Sequence, residues 1–155
     1  LLADLGRAPG SWSQVAAKLV GSSGQVFALD ILPMERIDGV HFIQGDFRED
    51  EVLRQFENLL CNRPLDLVIC DMAPNMPGNA VTDQARSYYL CELALDFARN
   101  HLKTGGSFLV KVFQGAGYQE YLAEMRSLFQ TVQTRKPDAS RNRSSEIYLL
   151  GKNKR

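Results

Sequence analysis

Two apolar runs in this chain end in residues able to move a proton. Leu65-Asp66-Leu67-Val68-Ile69-Cys70 runs into Asp71, and Gly106-Ser107-Phe108-Leu109-Val110 delivers Lys111. Both read as strands, and ligands of an open α/β sheet bind outside the carboxyl ends of its strands. A lysine at such an end can simply snorkel to solvent. Held near an acid and a cation, it can instead accept a proton, because desolvation and neighbouring positive charge lower a lysine's pKa. The matching substrate is a hydroxyl, a poor nucleophile until its proton leaves. Glu146 opens the last strand after Ser144-Ser145. It is placed to orient the lysine or the substrate, although alone it would pass for a surface strand residue.

A second group of residues points to a nucleoside. Asp4-Leu5-Gly6-Arg7-Ala8-Pro9-Gly10 follows one strand and precedes a helix. Glycines there allow a sharp turn and close approach of a ligand to the backbone. The dinucleotide fingerprint fails, because its second glycine position is Ala8. Asp30 ends the second strand, where an acid accepts hydrogen bonds from ribose hydroxyls. Asp46 follows the third strand and is a candidate acceptor for an adenine amino group. Taken singly, Asp30 and Asp46 are also ordinary turn formers and caps. No phosphate-binding loop is present. An adenosine bearing a cationic sulfonium, among Asp4, Asp30, Asp46 and Asp71, fits S-adenosyl-L-methionine. The expected chemistry is methyl transfer to an activated hydroxyl.

The elements that must position these residues alternate between strand and helix, which implies a mostly parallel sheet covered on both faces. Strands are expected at 1–5, 25–30, 40–43, 65–70 and 107–113. Helices are expected at 11–20, 49–60, 82–102 and 117–129, with Ser11 as an N-cap. Lys103-Thr104-Gly105-Gly106 supplies a glycine stop. Tyr118, Tyr121, Leu122, Met125 and Phe129 recur at helical spacing and are expected in the core. Residues 131–135 and 146–150 should close the sheet as an antiparallel hairpin around a long loop.

At 155 residues, 45% hydrophobic and 23% charged, the chain fits one globular domain with a substantial core. No run approaches the ~18 apolar residues of a membrane span, and no signal peptide is visible. Cys61, Cys70 and Cys91 are too few and too irregularly spaced for a zinc site or a disulfide framework. Cys70 and Cys91 are expected as buried free thiols in a reducing, cytoplasmic setting. The acids are dispersed, and His41 and His101 lack companion ligands, so no metal is expected. Leu1 already lies in a strand, which reads as a domain lacking an N-terminal segment.

Net charge is zero but unevenly spread. From Arg126 onward, eight basic residues face only Asp138 and Glu146, giving +6, and the remainder carries −6. A basic end suits a polyanion such as RNA, or is only a solvated C-terminus. Arg141 and Arg143, in the loop 137–145, are candidates for phosphate contacts. Arg86, Tyr88 and Tyr89 are candidates to line the same groove, the tyrosines equally for the core.

Four segments carry a family likeness: Asp71-Met72-Ala73-Pro74-Asn75, Gly105-Gly106-Ser107-Phe108, Val110-Lys111-Val112-Phe113-Gln114-Gly115, and Arg135-Lys136-Pro137-Asp138-Ala139-Ser140-Arg141 through Ser145-Glu146. In them, and along its whole length, the sequence resembles the FtsJ/RrmJ family of heat-shock ribosomal RNA 2′-O-ribose methyltransferases. The resemblance implies a Rossmann-like, S-adenosylmethionine-dependent methyltransferase fold. Its sheet is seven-stranded and mostly parallel, with an antiparallel C-terminal hairpin and helices on both faces. It also implies an enzyme that methylates a uridine 2′-hydroxyl of 23S rRNA in the large ribosomal subunit; a monomer is expected, although no residue pattern fixes the oligomeric state. Family members use a Lys-Asp-Lys-Glu set, shared with viral cap 2′-O-methyltransferases. By motif, Asp71, Lys111 and Glu146 correspond to its last three members, with Lys111 the proton acceptor and Asp71 beside the methionine part of the cofactor. Family cofactor contacts fall on Gly10, Trp12, Asp30, Asp46 and Asp71. Trp12 is the only tryptophan and is alternatively a packing residue of the first helix.

Two departures stand out. The family's first catalytic lysine precedes the first strand and so falls outside this chain. Arg7 and Ser11 replace an alanine and a glycine of the usual loop, and Arg7 adds bulk and positive charge near a cationic cofactor. Alternatives in view are a 2′-O-methyltransferase acting on tRNA or an mRNA cap, and a non-catalytic adenosylmethionine-binding module of ribosome assembly. A nicotinamide dehydrogenase is disfavoured by the glycine spacing.

Overall fold

The structure is a computed structural model that describes residues 2–5, 26–30, 40–45, 48–61, 63–70, 80–115, 117–135 and 146–155. Its strands are β1 (Leu2–Leu5), β2 (Val26–Asp30), β3 (Val40–Gln44), β4 (Leu65–Cys70), β5 (Leu102–Phe113), β6 (Phe129–Arg135) and β7 (Glu146–Lys154). The described helices are α1 (Asp50–Leu60), α2 (Ala80–His101) and α3 (Tyr118–Leu128). The strands form one sheet in the order β3-β2-β1-β4-β5-β7-β6. β1 to β5 pair in parallel, and β7 runs antiparallel between β5 and β6. The expected mixed sheet with its antiparallel C-terminal pair is therefore present. The expected helix at 11–20 lies outside the described residues.

Central strands of a sheet covered on both faces read as continuous apolar runs. Val26, Phe27, Ala28 and Leu29 of β2 are accordingly all buried. Alternation sorts the strand residues into two clusters. Leu5, Leu29, Val68, Cys70, Phe108, Val110 and Val112 pack with buried residues of all three described helices. Leu2, Val26 and Ile69, with Leu67 and Leu109 against them, form a second cluster that contains no described helix residue. In α2, Tyr88, Cys91, Leu95 and Ala98 are buried at three- and four-residue spacing, one stripe facing the sheet. In α3, Tyr121, Leu122 and Met125 do the same, with Phe129 buried just beyond the helix.

Where α2 meets β5 the structure departs from the sequence expectation. The helix stops at His101, and Leu102 already pairs with Leu65. The register then slips: Leu67 pairs with Ser107, so Lys103-Thr104-Gly105-Gly106 bulges from the ladder. Gly105 takes φ +88° there, a conformation open chiefly to glycine. The glycine pair thus shapes a bulge inside β5, where a glycine stop ending the helix was expected. β7 also continues past Leu150 to Lys154, because its polar end pairs with the start of β6.

Candidate active site

The strand order reverses direction at β1. The chain moves outward from β1 to β2 and β3 on one side, and to β4 and β5 on the other. Ligands of open α/β sheets bind at such a switch point, outside the carboxyl ends. Register fixes which residues meet there. Leu5 is level with Leu29 and with Cys70. Asp30 is level with Gln44, and Cys70 with Val110. The strand ends that precede the glycine loop, Asp46 and Asp71 in sequence therefore lie level with Asp30, or within one residue of Asp30 and Lys111 along the ladder. Gly10, Trp12, Asp46 and Asp71 themselves lie outside the described residues, as do Arg7, Ser11, Arg141 and Arg143. For Asp30 and Glu146 only the main chain is described.

Lys111 is 9% exposed, the one buried charged side chain among the described residues. It shares the parity of Leu109, so it stands on the sheet face opposite the three described helices. Across the antiparallel ladder it pairs with Tyr148, and Phe113 pairs with Glu146. Positions 111, 113, 146 and 148 share one face. Glu146 is thus the diagonal neighbour of Lys111, at a backbone spacing of roughly 7–8 Å that long side chains span. The sheet unites two members of the expected catalytic set from elements far apart in sequence. On the helix side of the strand, the Cys91 thiol donates to the Lys111 carbonyl oxygen at 3.4 Å.

Two features escaped the sequence reading. Tyr148 lies directly opposite Lys111, and only its two-residue step from Glu146 hinted at the shared face. Lys154, counted in the basic tail, is committed to structure. Its ammonium donates to the carbonyls of Arg99 at 2.6 Å and Leu102 at 2.7 Å, closing the C-terminal end of α2. The tyrosine pair divides. Tyr88 is buried, and desolvation pushes its phenol up to about 12, whereas Tyr89 is 50% exposed. Cys70 and Cys91 are buried free thiols, as expected, and Cys61 is exposed. Among the described residues, no group of three His, Cys, Asp or Glu residues could hold a metal ion. No described helix is long and apolar enough to cross a membrane.

Strand order and rim together define the class, a Rossmann-like α/β methyltransferase fold. A crystal structure from Plasmodium falciparum, described as a ribosomal RNA methyltransferase, matches it with a TM-score of 0.83 and 28% identity. That match covers 99% of this chain and 85% of the other. The FtsJ-like methyltransferase family model matches residues 1–154, and the chain belongs to that family. It is 84% identical over all 155 residues to ribosomal RNA large subunit methyltransferase E of Neisseria meningitidis serogroup B, covering 75% of that protein. Identity to the protein of the same name from Chromobacterium violaceum is 70%, covering 76% of it.

Proposed function

We propose that this chain is the methyltransferase domain of a cytoplasmic enzyme that methylates a uridine ribose 2′-hydroxyl in 23S rRNA of the large ribosomal subunit. The names of its relatives support the RNA class. One observation carries the chemistry: a buried lysine near the carboxyl end of β5, on the rim that holds the switch point and diagonal to Glu146 on the same face. The residues present fit S-adenosylmethionine. Asp30, ending β2 beside the strand that leads to the glycine loop, has the type and position that a nucleoside ribose requires. Gly10, Trp12, Asp46 and Asp71 complete the cofactor set in this reading. The cofactor, when bound, supplies an electrophilic methyl group on a sulfonium.

Lys111 accepts the proton of the ribose hydroxyl as the oxygen becomes nucleophilic. Asp71 sets the charge around it, and Glu146 orients the lysine or the ribose. The surrounding apolar sheet excludes water, which strengthens each of these interactions.

The test is transfer of labelled methyl from S-adenosylmethionine to large-subunit particles lacking the modification, using full-length protein with Lys111→Ala as control. Label on a 23S uridine ribose that disappears in the variant supports the proposal. Label on tRNA or a capped RNA alone, or cofactor binding without any transfer, overturns it. Loss of a positioned general base is worth roughly 10²- to 10⁴-fold in rate.

A further inference from the structure

We propose that Cys91 is a positioning residue for Lys111, held in turn by Tyr121, so that two helices fix the strand carrying the proton acceptor. This rests on the reading of Lys111 given above. Cys91 lies on the buried stripe of α2, 2% exposed. Its thiol donates to the Lys111 carbonyl oxygen at 3.4 Å, although the residues are 20 apart in sequence. The Cys91 carbonyl in turn accepts the Tyr121 hydroxyl of α3 at 2.9 Å. Tyr121 is 2% exposed and meets the edge of the Tyr88 ring at 6.1 Å between centroids. The result is a continuous path from α3 through α2 to β5.

The position of the contact is what makes it relevant. Val110 is the last β5 residue paired with the described part of β4. The thiol engages the main chain one residue further on, at the lysine itself. A side chain reaching the opposite face of the sheet inherits its direction from that main chain. Proton transfer needs the acceptor placed within hydrogen-bond reach, and small misplacement lowers rate more than binding. Desolvation holds the Tyr121 phenol well above its ordinary value, so it remains an O–H donor wherever methyl transfer is measured. A cysteine that merely filled the core would act as a small hydrophobe. Alanine would then replace it better than serine, which buries a hydroxyl.

The experiment compares Cys91→Ala, Cys91→Ser and Tyr121→Phe in the full-length protein, on unmodified large-subunit particles, with Lys111→Ala alongside. Alanine should lower kcat about three- to tenfold, the worth of one neutral hydrogen bond. KM for the particles and Kd for S-adenosylmethionine should stay unchanged. Serine, which can donate to the same carbonyl, should restore kcat to within about twofold. Tyr121→Phe should follow alanine in direction and carries the test if Cys91→Ala does not fold. Wild-type kcat in both Cys91→Ala and Tyr121→Phe, serine no better than alanine, or cofactor affinity falling in step with kcat would each overturn the proposal. If Lys111→Ala keeps full activity, the reading of the proton acceptor fails, and the positioning role with it. If Lys111→Ala is inactive and the other variants are normal, only the positioning role fails.

Discussion

The two rims of the sheet treat their charges differently. At the amino rim of β4 and β5, each charge with a described partner serves the fold. Lys154 closes the end of α2, and Arg63 closes the end of α1 through the Leu60 carbonyl at 2.9 Å. His101 of α2 meets Glu57 of α1 at 2.7 Å, and Lys103 pairs with Asp66. At the carboxyl rim, charges stand at the ends of strands: Asp30 on β2, Lys111 on β5 and Glu146 on β7. Helix C-termini gather at the amino rim, and their last carbonyls attract cations. The carboxyl rim receives strand ends, where side chains converge on a crevice. On the function proposed above, the described lysines Lys103 and Lys154 act as fasteners of the amino rim and Lys111 as the reagent of the carboxyl rim.

The largest effect expected is the divergence of Lys111 and Lys154. Lys111→Met keeps the aliphatic stem and removes the amine. Methyl transfer should fall by about 10²- to 10⁴-fold with little change in cofactor affinity. Lys154→Met should leave methyl transfer intact. Comparable activity losses in both variants would erase the distinction between the rims.

Next in size is a packing test at the strand that joins both rims. A Cβ on Gly151 of β7 would lie 2.6 Å from ring atoms of Phe129. That ring is fully buried and stacked 6.2 Å from Phe108, so it has little room to yield. Gly151→Ala should cost about 1–3 kcal/mol, the usual penalty of overpacking, read as a lowered urea midpoint. Because Gly151 pairs with Phe108 of β5, three residues before Lys111, activity should fall only with stability. An activity loss at full stability would show that strain travels along the strand to the site.

Lys154→Met has a smaller stability cost, about 1–2 kcal/mol, for two charge-assisted bonds at a partly exposed helix end. Thermal melts check it, and an unchanged midpoint would mean that water replaces the ammonium without loss.

What the sequence disclosed follows the same division. The bounds of β4 could be read directly, because an apolar run between Pro64 and Asp71 admits one reading. The candidate reagents were legible because an acid or a lysine ending such a run is conspicuous. The fasteners were not. Lys154 looked like part of a basic tail, since its partners, Arg99 and Leu102, are more than 50 residues away. Tyr148 was missed for the same reason, since antiparallel register sets it opposite Lys111. The α2–β5 junction was misplaced because Leu102 fits both the helical stripe and a strand pairing with Leu65, and local pattern cannot choose between them.

The smallest effect separates a fastener from mere decoration. Lys103 beside Asp66 holds that carboxyl below the usual carboxylate range, yet both side chains are about half exposed. Solvent screening therefore limits the pair to roughly 0.5 kcal/mol. A carboxyl lowered on folding stabilises the native state above its unfolded pKa, and that contribution disappears as pH falls through the folded value. Asp66→Asn should leave stability at neutral pH nearly unchanged and slightly flatten its decline in acid, measured as urea midpoints across a pH series. Both residues flank the β5 bulge, Asp66 between the paired positions of β4 and Lys103 within the bulge. A loss well beyond 1 kcal/mol at neutral pH would mean that the ion pair holds the bulge itself. The amino rim would then depend on a surface charge pair as much as on its helix caps.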